Sequence, residues 1–104
     1  MFTRKSVVEE RDFMRHLDIV RPAVSRAVRN LRWRARTTQS GTIEAVWKRG
    51  LLRFEGDVII KTLTVKGATR VRIESTSRRG GFDLGLNARV VRDFFLQVDM
   101  QLPM

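Results

Sequence analysis

The 104-residue chain has no cysteine and a single histidine, His16. The lack of cysteine excludes a disulfide, a thiolate metal site and a cysteine nucleophile. A zinc site would have to combine His16 with carboxylates, an unusual ligand set, and no serine motif surrounds His16 to form a catalytic triad. The residue types therefore favour a protein that is not an enzyme and that holds no metal and no cofactor.

Long apolar runs are also missing, and none approaches the roughly 18 residues that would span a membrane. The chain instead has 21 lysines and arginines against 11 acidic residues, which gives a formal net charge of +10. Such a surface attracts polyanions: nucleic acid, anionic lipid headgroups or an acidic protein face. The length suits one domain, and a hydrophobic fraction of 42% is enough for one core.

Apolar residues recur at helical spacing through residues 6–31. Pro22 interrupts this run, and proline is disruptive inside a helix although its first turn tolerates it. We therefore expect either two helical segments, about residues 6–19 and 21–31, or one kinked helix. The apolar positions are Phe13, Leu17, Val20, Val24, Val28 and Leu31.

From Arg32 the apolar period changes to two, which is typical of half-buried strands. Four strands are predicted, at residues 32–37, 42–49, 57–65 and 69–76. Short turns between them favour an antiparallel meander, because parallel pairing needs long crossovers. A final helix is predicted from Leu84 to Val98, with Asp83 capping its first turn.

The predicted element order is therefore α-β-β-β-β-α, in the α+β class. Packing the N-terminal and C-terminal helices on one face of a four-stranded antiparallel sheet gives a two-layer sandwich. We interpret residues 1–20 as an N-terminal helical extension and residues 21–104 as a single α+β domain.

One candidate binding surface is the exposed face of the predicted sheet. Apolar residues lie between its cations and suit protein docking. Single-stranded nucleic acid usually stacks on aromatic side chains, whereas Trp33 and Trp47 fall on the opposite face. A merely solvated sheet face remains an alternative. The cations assigned to this basic sheet face are Arg32, Arg34, Arg36, Lys48, Lys61, Arg70 and Arg72.

A second candidate is the strand-to-helix corner in residues 75–95, where two arginines and two glycines precede a predicted helix. Guanidinium groups beside free N–H groups at a helix start favour an anion. The same residues could instead form a structural corner, in which Asp83 pairs with Arg78 and Asn87 ties down the loop. The residues assigned to anion or partner binding are Ser75, Ser77, Arg78, Arg79, Gly80, Asp83, Asn87 and Arg89.

The corner resembles the domain of unknown function family 1499. A strand ends in Ser-x-Ser-Arg, followed by Gly, then by Asp-Leu-Gly-x-Asn-Ala and a basic amphipathic helix. The resemblance covers about residues 20–100 and is strongest over 75–95. It implies no activity, and the family's occurrence in bacteria, cyanobacteria and plastids is compatible with a photosynthetic or membrane-associated setting. The sequence does not identify the compartment; we expect a soluble protein of a reducing compartment, the cytoplasm or a plastid. The matching positions are Ser75, Ser77, Arg78, Gly80, Asp83, Leu84, Gly85, Asn87, Ala88, Arg89 and Phe94.

These observations predict a non-catalytic accessory or binding module. It would dock through its basic surfaces on an acidic protein or on a membrane-associated complex, for which the resemblance implies a photosynthetic setting. The alternative is a nucleic-acid-binding protein that uses the basic sheet face. A third possibility is an enzyme acting on a phosphorylated small molecule with Arg78, Asp83 and Asn87, although it lacks an obvious nucleophile or base.

Overall fold

The computed structural model describes residues 6–49, 54–78 and 85–103. These residues form a five-stranded sheet and two helices in the order β-α-β-β-β-β-α. The α+β class is therefore confirmed, with one more strand than predicted. The elements are β1 (Ser6–Phe13), α1 (Leu17–Asn30), β2 (Arg34–Thr37), β3 (Ile43–Arg49), β4 (Phe54–Val65), β5 (Ala68–Ser77) and α2 (Leu86–Gln101).

The sheet has the strand order β1-β5-β4-β3-β2, and every neighbouring pair is antiparallel. The predicted meander is confirmed for β2 to β5, whose connections are short. The first strand joins the far side of β5, and α1 carries the chain from that edge to β2 at the opposite edge. β1 and β2 are thus the two edge strands of the sheet.

The N-terminal helix predicted over residues 6–19 is wrong for its first half, which forms β1. This strand pairs with β5 along its whole length, from Ser6 opposite Thr76 to Phe13 opposite Thr69. Its sequence does not alternate between apolar and polar residues, because an edge strand that carries charges on both faces needs little burial. Phe13 matched the helical spacing because it and Val20 enter the same core from two different elements.

Pro22 lies inside α1 and does not divide it, so the two-segment prediction is wrong and residues 17–30 form one helix. Proline removes the N–H that would bond the Asp18 carbonyl one turn earlier. Both residues are exposed, so water can satisfy that carbonyl. The helix begins after His16, whose Nδ1 accepts the backbone N–H of Asp18 at 3.1 Å.

Further boundaries differ from the prediction, most notably the starts of β4 and α2 and the end of α2, which extends to Gln101 rather than Val98. β4 begins at Phe54 rather than Asp57, so that Gly56 lies inside a strand and not in the preceding loop. α2 begins at Leu86 rather than Leu84, and Gly85, with a φ of 74°, is its N-cap residue and makes no side-chain cap bond. Asp83, the predicted cap, lies outside the described residues.

Both helices pack on one face of the sheet, as predicted, and form one core with the inward side chains of the strands. Trp33 and Trp47 both face this core, and the ring of Trp33 stacks on Phe94 with centroids 6.2 Å apart. Neither described helix has the length and apolar character needed to cross a membrane. The opposite, open face of the sheet is left without a covering layer by the described residues.

Candidate functional site

The corner between β5 and α2 is built around Trp47. Its indole lies over Gly56, the residue directly opposite on β4, where a Cβ atom would overlap the ring. Because Gly56 has no side chain, the ring crosses β4 and its Nε1–H donates to Ser75 Oγ on β5 at 2.9 Å. An isolated glycine inside a strand often marks such a close approach.

The hydrogen bonds continue from Ser75 into α2. Ser75 Oγ donates to Asn87 Oδ1 at 2.7 Å, and Asn87 Nδ2 donates to Ser77 Oγ at 2.8 Å. All four side chains of this Trp47–Asn87 network are buried. Buried polar groups require such partners, so the network fixes the first turn of α2 on β3 and β5.

The structure therefore brings Ser75, Ser77 and Asn87 together inside the protein, bonded to one another. They were assigned to an anion site, but their burial leaves them almost no solvent-facing surface from which to bind one. Arg89 lies on the exposed side of α2, two residues after Asn87. Arg79, Gly80 and Asp83 of the same assignment lie outside the described residues.

Arg78 turns away from this network to the open face. Its Nη1 lies 3.1 Å from Glu55 Oε2 and its Nη2 lies 3.0 Å from Asp57 Oδ1. The hydrogen bond to Asp57, helped by the charge of Glu55, raises the pKa of Arg78. Its backbone N–H also donates to the Glu55 carbonyl at 3.0 Å. Among the described residues, the partners of Arg78 are thus internal carboxylates.

Arg78→Gln is expected to change stability only slightly, because an ion pair at a half-exposed side chain is weak and screened by solvent. The urea midpoint should fall by about as much as in the matched variant Arg36→Gln, which breaks the exposed Arg36–Glu44 pair. A much lower midpoint for Arg78→Gln alone would show that this arginine is essential to the corner.

The basic sheet face is less basic than predicted. Six of its seven cations do lie on the open face, whereas Arg32 lies in the turn before β2 with a φ of 60° and not in a strand. Carboxylates alternate with these cations across the sheet, so the face carries both signs of charge. The acidic residues on this face are Glu10, Asp12, Glu44, Glu55, Asp57 and Glu74.

Several cations of the open face are paired with these carboxylates. Arg36 Nη2 lies 2.7 Å from Glu44 and Lys48 Nζ lies 3.5 Å from Glu55. The guanidinium of Arg70 makes two hydrogen bonds to Asp12, at 2.8 and 3.1 Å, which hold the pKa of that carboxyl below its ordinary value. The Arg70 contact also ties β1 to β5.

A groove of about 420 Å³ lies on the open face over β2, β3 and β4. Val46 and Ile59 contribute its apolar surface, and Glu44 and Asp57 its carboxylates. Its outer side is formed by Arg34 and Arg36 of β2, which we call the arginine edge. Arg34 has no ion pair with any residue in the described part of the chain. In that part, no three His, Asp or Glu side chains come together as a metal site would require.

Fold and site together define a small two-layer α+β domain with a closed, hydrogen-bonded corner and an open sheet face of mixed charge. The chain belongs to the family described as proteins of unknown function, DUF1499, whose model matches residues 6–98. The predicted resemblance is therefore confirmed, and it begins at β1 rather than near residue 20. A comparison with curated proteins gives no match.

Proposed function

We propose that this protein is a non-catalytic binding module that docks on an acidic protein partner through its arginine edge. The observation that carries the proposal is the groove beside β2, where exposed Arg34 has no carboxylate partner among the described residues and lies next to apolar Val46 and Ile59. A cation beside an apolar floor matches the composition of protein interfaces, which are enriched in arginine. An acidic subunit of a membrane-associated complex would fit the same surface.

The charges of the groove favour a protein over a nucleic acid. Glu44 and Asp57 lie in the same groove as the arginines and would repel a phosphate backbone. The aromatic rings of β3 and of the segment before β2 face the core, so they offer bases no stacking platform on this face. A protein surface can place acidic groups against Arg34 and neutral groups against the two carboxylates.

Arg34→Glu is expected to weaken binding of a fluorescent glutamate-rich peptide about tenfold or more at low salt, because it sets like charges against each other. The matched control is Lys61→Glu, which makes the same charge change on the same face at another exposed cation. Within the described part of the chain, Lys61 also has no ion pair. It should leave the affinity within about twofold of the wild type, since a charge outside the contact acts only at long range. Fluorescence anisotropy measures both.

The same titrations with single-stranded DNA and with phosphatidylserine vesicles test the other partner classes. If Arg34→Glu and Lys61→Glu weaken binding of the glutamate-rich peptide equally, docking at the arginine edge is contradicted. The peptide would then be attracted by the net charge of the protein as a whole. Binding of DNA but not of the peptide, with a steep dependence on salt, would replace the proposal with nucleic-acid binding. Binding of vesicles alone would replace it with a lipid surface.

A further inference from the structure

The outer edge of β2 carries hydrogen-bonding groups that no described strand uses. Thr38 N–H donates to the Thr42 carbonyl at 2.8 Å, which makes this pair the hydrogen-bonded end of the β2–β3 hairpin. Bonding alternates along an antiparallel ladder, so Arg36 and Arg34 bond to β3. The backbone N–H and C=O groups of Ala35 and Thr37 therefore point away from the sheet.

The two faces beside this edge have different chemistry. On the open face, the arginine edge offers an acidic side chain the guanidinium of Arg34, beside that of Arg36, which is paired with Glu44. On the helix side, a cavity of about 130 Å³ lies between α1 and the sheet. Apolar Val24, Ile43 and Ile60 line it, together with Arg21 and with Thr37 of β2. Ala35 and Thr37 are exposed and lie on this side of the strand. A strand placed next to β2 would point its side chains alternately to these two faces.

The opposite edge of the sheet is protected in a way that β2 is not. β1 carries charges on both faces, with Glu10 and Asp12 on the open face and Glu9 and Arg11 on the helix side. Arg11 also lies over the ring of Phe95, 4.4 Å from its centroid, and pairs with Asp99 of α2. Charges in these positions discourage a further strand.

We propose that β2 accepts an extended segment of the acidic partner as a sixth strand, in which acidic residues alternate with apolar ones. The proposal rests on the proposed function and adds the mode of recognition. The partner strand forms main-chain hydrogen bonds to Ala35 and Thr37, and its side chains bind alternately on the open face and in the cavity on the helix side. A second copy of this chain fits less well. Symmetric pairing about Ala35 would set Arg34 and Arg36 against the same arginines of the other copy, and like charges directly opposite each other are destabilising.

Ala35→Pro tests the backbone contact. Proline at this position removes an N–H that faces outward and leaves the bonds of Arg34 and Arg36 to β3 in place. The probes are two eight-residue peptides of equal composition, one alternating glutamate with valine and the other with its glutamates grouped. The wild type should bind the alternating peptide about tenfold more tightly, through main-chain bonds and matched pockets. Ala35→Pro should lose this preference and keep weak, salt-sensitive binding of both peptides.

Hydrogen exchange gives a second measurement that does not depend on the variant. The amides of Ala35 and Thr37 should exchange at least about tenfold more slowly when the alternating peptide is bound, since protection follows hydrogen bonding. Unchanged exchange at both amides, with Ala35→Pro binding as tightly as the wild type, would overturn strand addition and leave the proposed function standing. Failure of the wild type to bind either peptide would overturn both.

Discussion

Gly56→Ala is expected to lower the free energy of unfolding by about 3 kcal/mol, the upper range for overpacking a core. The added methyl would overlap the indole of Trp47, which is 1% exposed and held by its hydrogen bond to Ser75. The ring therefore cannot move aside without breaking that bond. Replacing glycine also restricts the unfolded chain, but that gain of at most about 1 kcal/mol is smaller than the steric cost. Urea denaturation measures the difference.

A double-mutant cycle with Trp47→Val shows whether the ring is the cause. Trp47→Val alone is destabilising, because it leaves a cavity and removes the donor to Ser75. Combined with Gly56→Ala, the cost should be clearly less than the sum of the two single costs, because the methyl no longer meets a ring. Additive costs would contradict the overlap and point to another origin of the Gly56 effect.

Asn87→Ala is expected to lower the free energy of unfolding by about 3 kcal/mol, because buried hydrogen-bonding groups lose their partners. Ser75 Oγ–H loses its acceptor and Ser77 Oγ loses its donor, both inside the core. The two serines cannot turn to water, since Ser75 is fully buried and Ser77 is 6% exposed. Thermal or urea unfolding measures the loss, and native circular dichroism shows that the variant still folds.

Asn30→Ala is the matched control, because it removes the same side chain from an exposed position on the other helix. Its amide makes a long bond of 3.4 Å to Gln97, so its loss should cost within about 0.5 kcal/mol. Similar small costs for Asn30→Ala and Asn87→Ala would show that water or a rearranged serine replaces the buried amide, and would contradict the structural importance of the Trp47–Asn87 network.

The sequence predicted the strands in which buried and less buried residues alternate. β3 and β5 alternate buried and less buried residues along their length, which is the pattern that predicted them. β1 has no such pattern, because only Phe13 at its end is buried, and its pairing with β5 depends on residues far away in the chain. The predicted strand began only after Gly56, whereas the structure has Gly56 inside β4, where the Trp47 ring occupies the space of a side chain.

The candidate site was predicted in part by composition and not in its geometry. The pattern in residues 75–87 predicted a special corner, and the suggestion that Asn87 ties it down agrees with its bond to Ser77. The partners of Arg78 could not be predicted, because Glu55 and Asp57 reach it only through the β4–β5 register. The same register brings carboxylates among the cations of the open face, which counting lysines and arginines alone could not show.

The pairing of the first strand with the last has a consequence for protein synthesis. β1 is translated before the other described elements, yet β5, the strand it joins, begins only at Ala68. While the chain grows, β1 must stay unpaired in the nascent polypeptide, where exposed strands are prone to aggregate. Glu9 to Asp12 are four consecutive charged residues, and charges in an unpaired strand oppose its association with other chains. The charged residues that gave β1 no apolar–polar alternation, so that it was not predicted as a strand, are thus suited to protecting it from aggregation on the ribosome.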